Sequence, residues 1–336
     1  MNQHPELVTA PLDRFCDLYE ALNADRGWFG DASSLRFAAM TAVSCSGSPQ
    51  EVASSIRRMA EEINRLSGWF GELKSPLRFI MAAILVLNRD DASEFLAEVE
   101  RARELFRHAN LRRGGIYETM AILVMRLQND LQPISPAHVA RFQAIYEEMK
   151  RHHWWLTGPD DFPACAILGG QDAPPAEIGM KIEEIYQSLN ESGFSTGDPL
   201  QTAANLLYLA RLDPVTVANR YSELADGFRK NGVSIWQSDY DELAILTFLD
   251  HPASRIVDYV LEDRRIMERL TPKPDRSLTF NLAASITFLE LVQVDDNLEA
   301  ISDAKALMDM QSIINAQQAA AAAAASSAAT TSAAAS

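Results

Sequence analysis

A chain of 336 residues, 47% apolar and 23% charged, can bury a large core and has the balance of a soluble globular protein. Its net charge of −16, with no basic tract to offset it, excludes the usual footprint of a nucleic-acid or anionic-membrane partner. Three scattered cysteines, Cys16, Cys45 and Cys165, form no Cys-x-x-Cys pair and fit buried thiols in a reducing cytoplasm.

Residues 1–10 have neither the basic start nor the apolar core of an export signal and read as a flexible N-terminus. Leu12, Phe15, Leu18, Tyr19 and Leu22 then step by three and four, as one face of a helix does. An apolar stretch around Ala39 follows. Ser48-Pro49, with Glu51 completing a capping box, opens a helix whose buried face is Val52, Ile56, Met59, Ile63 and Leu66, and Gly68 closes it.

The run Phe79–Leu87 is the longest apolar stretch, too short at nine residues to cross a bilayer. Phe95, Val99, Ala102 and Phe106 mark the next amphipathic helix. An apolar one surrounds Ala121, and Ser135-Pro136 starts another with Val139, Phe142, Tyr146 and Met149 inward. After the stretch His152–Gly170 come Ile178, Ile182, Ile185 and Leu189, ended by Gly193. Asp213-Pro214 opens Val217, Tyr221, Leu224 and Phe228, ended by Gly232, and His251-Pro252 starts one more. From Gln317 to Ser336 only Gln, Ala, Ser and Thr occur, a low-complexity tail that frays once it has nothing large to bury.

The apolar stretches share a marker, an alanine beside an aliphatic pair. Ala39, Ala83, Ala121, Ala166, Ala204, Ala244 and Ala284 are spaced by 44, 38, 45, 38, 40 and 40 residues. Even spacing near 40 identifies tandem helix pairs, each unable to bury its apolar face without its neighbours. The expected fold is all-α, with about fifteen helices and no strand. About seven pairs of roughly 40 residues fill residues 11–316 as one domain, stacked as an α-solenoid or superhelix. A closed α/α toroid is the alternative. The alanine-centred helices, apolar nearly all round, form the shielded inner set, and the amphipathic ones the outer set.

The loops that lead into inner helices fall on one side of such an array. They collect Trp28, Trp69, Trp154, Trp155 and Trp236, and the acids Asp31, Glu72, Asp160, Asp161, Asp198, Asp239 and Asp241. A rim of aromatics and carboxylates suits a cationic peptide or a polyol. The plainer expectation is that such acids cap helix N-termini and such aromatics fill gaps. The candidate ligand-binding residues are Trp154, Trp155, Thr157, Asp160, Asp161, Asp198, Trp236 and Asp239.

No metal site and no cofactor is expected. His152 and His153 diverge by about 100° on a helix, and no His-x-x-x-His pair occurs. Gly193-Phe194-Ser195-Thr196-Gly197 matches a nucleophile elbow in letters only, because a helix and not a strand precedes it. Asp90-Asp91-x-x-Glu94 falls where helix-capping acids belong, and no phosphate loop or dinucleotide fingerprint is found.

Three stretches carry a family likeness: Leu156-Thr157-Gly158-Pro159-Asp160-Asp161-Phe162-Pro163, Gly193-Phe194-Ser195-Thr196-Gly197-Asp198-Pro199-Leu200-Gln201 and Ile313-Ile314-Asn315-Ala316-Gln317-Gln318-Ala319-Ala320. They resemble the bacterial family DUF4003, a domain of unknown function, from about Leu12 to the alanine tail. That resemblance implies the architecture and transfers no catalytic residue. Two functions are open: a cytoplasmic binding or scaffold protein taking a peptide or protein partner, or a toroid-type enzyme with a carboxylate-lined pocket for a small polar substrate.

Overall fold

The computed structural model describes residues 10–24, 31–68, 71–153 and 157–292. Among them are fourteen α-helices, three short 3-10 turns and no strand. Trp28, Trp69, Trp154, Trp155 and the tail from Gln317 lie outside the described residues. The described residues divide into two compact units, one ending at Ser93 and one beginning at Glu94.

The first unit contains α1 (Pro11–Ala24), α2 (Ala32–Thr41), α3 (Pro49–Leu66) and α4 (Arg78–Asn88). Here α1 packs on α3, α2 on α4, and each pair α1–α2 and α3–α4 is in contact. Ser48 caps α3 through the Glu51 N–H, and the Glu51 carboxylate returns to the Ser48 N–H at 2.9 Å, the reciprocal box the sequence announces.

The second unit runs from within α5 (Ala92–His108) through α6 (Ile116–Gln128), α7 (Pro136–His153), α8 (Phe162–Gly169) and α9 (Pro175–Glu191). It continues with α10 (Asp198–Tyr208), α11 (Pro214–Lys230), α12 (Tyr240–Thr247), α13 (Ala253–Met267) and α14 (Arg276–Leu291). The even-numbered helices from α6 to α14 lie side by side in chain order. From α7 to α13 the odd-numbered ones do the same, and each of these packs on the even helix that follows it. Gly68, Gly193 and Gly232 sit at φ +32°, +95° and +77°, just past α3, α9 and α11, where a left-handed backbone ends a helix.

All seven marker alanines are at most 1% exposed. The even helices are nevertheless not apolar all round, which corrects the sequence reading. Arg36, Glu118, Gln201, Asn205, Glu242 and Asn281 are all buried on them. Burying such groups is tolerable where a partner meets them: Glu118 is held by Arg107, and Asn281 donates to Glu242. A further feature escapes the periodicity. Arg14 of α1 donates to the carbonyls of Val43 (2.9 Å), Cys45 and Gly47 (2.9 Å) beyond α2. Arg141 of α7 does likewise to Gly169, the last residue of α8, and to Gln171 and Ala173 beyond it, and Arg220 of α11 to Leu249 beyond α12. Each guanidinium satisfies carbonyls that a helix end leaves unpaired.

His251 is not the expected cap of α13. Pro252 takes that position, and the imidazole Nε2 lies 3.1 Å from the Leu291 carbonyl at the end of α14.

Candidate functional site

The N-terminal ends of α6, α8 and α10 build the site. A 3-10 turn, Pro159–Asp161, leads directly into α8. Phe162 anchors that turn. Its ring is fully buried, 5.3 Å from Phe142, 5.2 Å from Tyr146 and 6.2 Å from Phe106 between centroids. Gly114, ahead of α6, lets the Phe162 ring come close, since a Cβ there would meet it at 2.9 Å. The aromatic cluster thus fixes Asp161, the preceding residue, at the top of α8.

Asp161 accepts the Gly158 N–H at 2.9 Å on one oxygen and the Gln201 side-chain amide at 3.4 Å on the other. Burial pushes its carboxyl up to about 7, the Gly158 N–H opposes the rise, and the charges of Asp160 and Asp198 add to it. Partial desolvation and then Asp198 raise Asp160 as well. Tyr117 of α6 is raised by burial and by the fields of Asp160 and Asp161. No basic side chain of the described residues comes within ion-pair distance of these three aspartates. Three acids from two helix ends, with a phenol from a third, therefore share one region.

A matching turn, Gln237–Asp239, leads into α12, and Asp239 likewise accepts the N–H three residues back, Trp236, at 2.9 Å. Here the outcome differs. Asp239 is fully buried and accepts Arg276 of α14 at 3.1 Å, and that guanidinium lies 5.6 Å from the Trp236 ring centroid. Trp236 is 61% exposed. Glu242, buried one turn into α12, is pushed up to about 8 by burial and then by Asp241, against the hydrogen bond from Asn281.

The predicted residues therefore separate. Asp160, Asp161 and Asp198 come together. Asp239 and Trp236 belong to a second cluster that does not contribute to the field at Asp161. Thr157 is buried just ahead of the Asp161 turn, and Trp154 and Trp155 lie outside the described residues. Asp31 and Asp91 serve as caps, accepting the Ser33, Ser34 and Ser93 N–H groups. His152 lies against Gly179 of α9, and among the described residues no group of three His, Cys, Asp or Glu is placed to hold a metal ion. No described helix is long and apolar enough to cross a membrane.

Gln201, Asn205, Tyr117, Arg276, Glu242 and Asn281 were missed by sequence reasoning. A signal was available: Arg36, Glu118, Gln201, Asp241 and Asn281 all stand three residues before a marker alanine, polar letters in otherwise apolar helices.

The sequence pattern of the family described as "Protein of unknown function (DUF4003)" matches residues 18–319. The chain belongs to this family. Another protein similar to this DUF4003 chain is the "Uncharacterized protein YeaA" of Bacillus subtilis (strain 168), 24% identical over 255 residues, 75% of each chain. No solved structure matches the DUF4003 chain. The matched span includes the Asp161 turn, α10 and the Asp239 turn, so both acidic clusters are inside the family region.

Proposed function

We propose that this DUF4003 protein is a cytoplasmic helical-repeat recognition protein that takes a cationic segment of a peptide or protein partner at the leading ends of α6, α8 and α10. The observation that carries this reading is the contrast between two equivalent capping aspartates. Asp239 has Arg276 as its counter-charge. Asp161, beside Asp160 and Asp198, has none among the described residues, and a partner's cation completes it. The net charge of −16 steers such a partner toward the protein. The even spacing of the marker alanines supports tandem helix pairs, which we read as an α-solenoid with a closed α/α toroid as the alternative, and the scattered cysteines without a Cys-x-x-Cys pair suit a reducing compartment.

The test is binding of the intact protein to an array of basic, neutral and acidic peptides at two salt concentrations. Basic peptides should bind, more weakly at high salt, and Asp161→Asn with Asp198→Asn should weaken them tenfold or more. Equal binding by wild type and the double variant would remove the site from this edge.

A second reading, an enzyme acting on a small polar substrate, is favoured by one fact. A carboxyl near 7 is poised for proton transfer beside a second carboxylate. Turnover of a substrate by wild type, abolished by Asp161→Asn with the fold intact, would select it.

A further inference from the structure

Gln201 and Asn205 lie one turn apart on the same face of α10, 2% and 3% exposed. Gln201 points its amide nitrogen at Asp161, which turns its Oε1 the other way, and no donor of the described residues reaches that oxygen. Neither the Nδ2 nor the Oδ1 of Asn205 has a partner among the described residues. On α7, the buried Tyr146 hydroxyl likewise has no partner among the described residues, and burial pushes its pKa up, with Arg112 opposing and Asp161 adding to the rise.

Other polar groups of the same layer do find partners. The Thr247 hydroxyl donates to the Leu243 carbonyl at 2.8 Å, Thr287 to Asp263 at 2.6 Å, and Asn281 to Glu242. Buried amides left open carry the full cost of desolvation, so a stripe of them beneath an acidic cluster marks a place where something else supplies the hydrogen bonds. The eight-residue α8 packs closely on α6, as α10 does on α12, whereas α8 and α10 touch only lightly.

We propose that the α8–α10 seam receives an arginine side chain of the partner, its guanidinium shared between the Asp161 carboxylate and the amide oxygens of Gln201 and Asn205. This rests on the cationic-partner reading above and narrows it. A guanidinium offers five N–H donors in a plane and no acceptor, which suits a carboxylate oxygen and two amide oxygens arranged along one helix face. A lysine ammonium has three donors on one point and is more strongly hydrated, so a dry seam disfavours it. The Asn205 Nδ2 remains for a carbonyl of the same ligand.

The experiment titrates the full-length protein with N-acetyl-arginine amide, N-acetyl-lysine amide and N-acetyl-citrulline amide, followed by calorimetry and by amide NMR shifts. The arginine probe should bind at least tenfold more tightly than the lysine probe, and citrulline, the uncharged analogue, should not register. Asn205→Leu should abolish this preference while leaving the melting temperature unchanged or higher. Asn205→Ala is the second variant if leucine disturbs folding. Equal affinity for arginine and lysine probes, still lowered by Asp161→Asn, would overturn the arginine assignment and leave the cationic reading intact. Binding of none of the probes at millimolar concentration, together with peptide binding insensitive to Asp161→Asn, would sink both. An arginine preference that survives both Asn205 variants would overturn the seam as its location.

Discussion

Replacing Asp161 by asparagine is the most direct check on the electrostatics of the site. Asparagine keeps an oxygen for the Gly158 N–H, removes the charge and exchanges the oxygen that accepts the Gln201 amide for an NH2 group. In the unfolded chain an aspartate ionises near 3.8, but in the folded protein Asp161 holds its proton up to about 7. The folded state therefore binds more protons between these values, and stability falls as pH rises through that window. Each tenfold change in proton affinity is worth about 1.4 kcal/mol. From pH 5 to pH 8 the loss is about 3 kcal/mol at most, and partial exposure and solvent screening reduce it to about 1–2 kcal/mol. Urea unfolding of wild type and Asp161→Asn at both pH values measures the difference between the two slopes. Glu242 and Asp263 titrate in both proteins and cancel. Wild type should lose about 1–2 kcal/mol relative to the variant on going to pH 8. Parallel curves would mean that Asp161 ionises normally, and the case for a missing counter-charge would fall with them.

Glu242, whose carboxyl is pushed to about 8, binds its proton in the folded state well above the unfolded range, so its contribution is present at low pH and lost as pH approaches 9. Glu242→Gln should retain a hydrogen bond with Asn281 and be more stable than wild type at pH 9 by about 1–3 kcal/mol. No gain in urea midpoint at pH 9 would contradict this. Ala244→Leu adds three carbons to a fully buried position on α12, which packs on both α10 and α14. It should cost about 1–3 kcal/mol by overpacking, whereas Val215→Ala, at a 63% exposed site, should stay within about 0.5 kcal/mol. Similar thermal midpoints for the two would argue against tight inner packing.

Much of the fold is legible because it is local. Val139, Phe142, Tyr146 and Met149 announce α7 by period alone, and Ser48-Pro49 with Glu51 announces where α3 begins. The site is harder to read because its partners are about one repeat apart. Gln201 meets Asp161 from 40 residues away, Asn281 meets Glu242 from 39, and Arg276 meets Asp239 from 37. No window of sequence shows those pairs. An acid ahead of an inner helix looks alike at Asp161 and Asp239, and only the next helix decides which one is neutralised. 3-10 turns take up the approach to α8 and α12 and leave helices of eight residues each, a shortening that the spacing of the marker alanines does not show.

The arginines that reach from α1, α7 and α11 to the carbonyls at and beyond the ends of α2, α8 and α12 have a consequence for how such a chain can vary. Where one guanidinium grips three carbonyls of a single connector, as Arg14 and Arg141 do, an inserted or deleted residue breaks the grip, so those connectors are held to length.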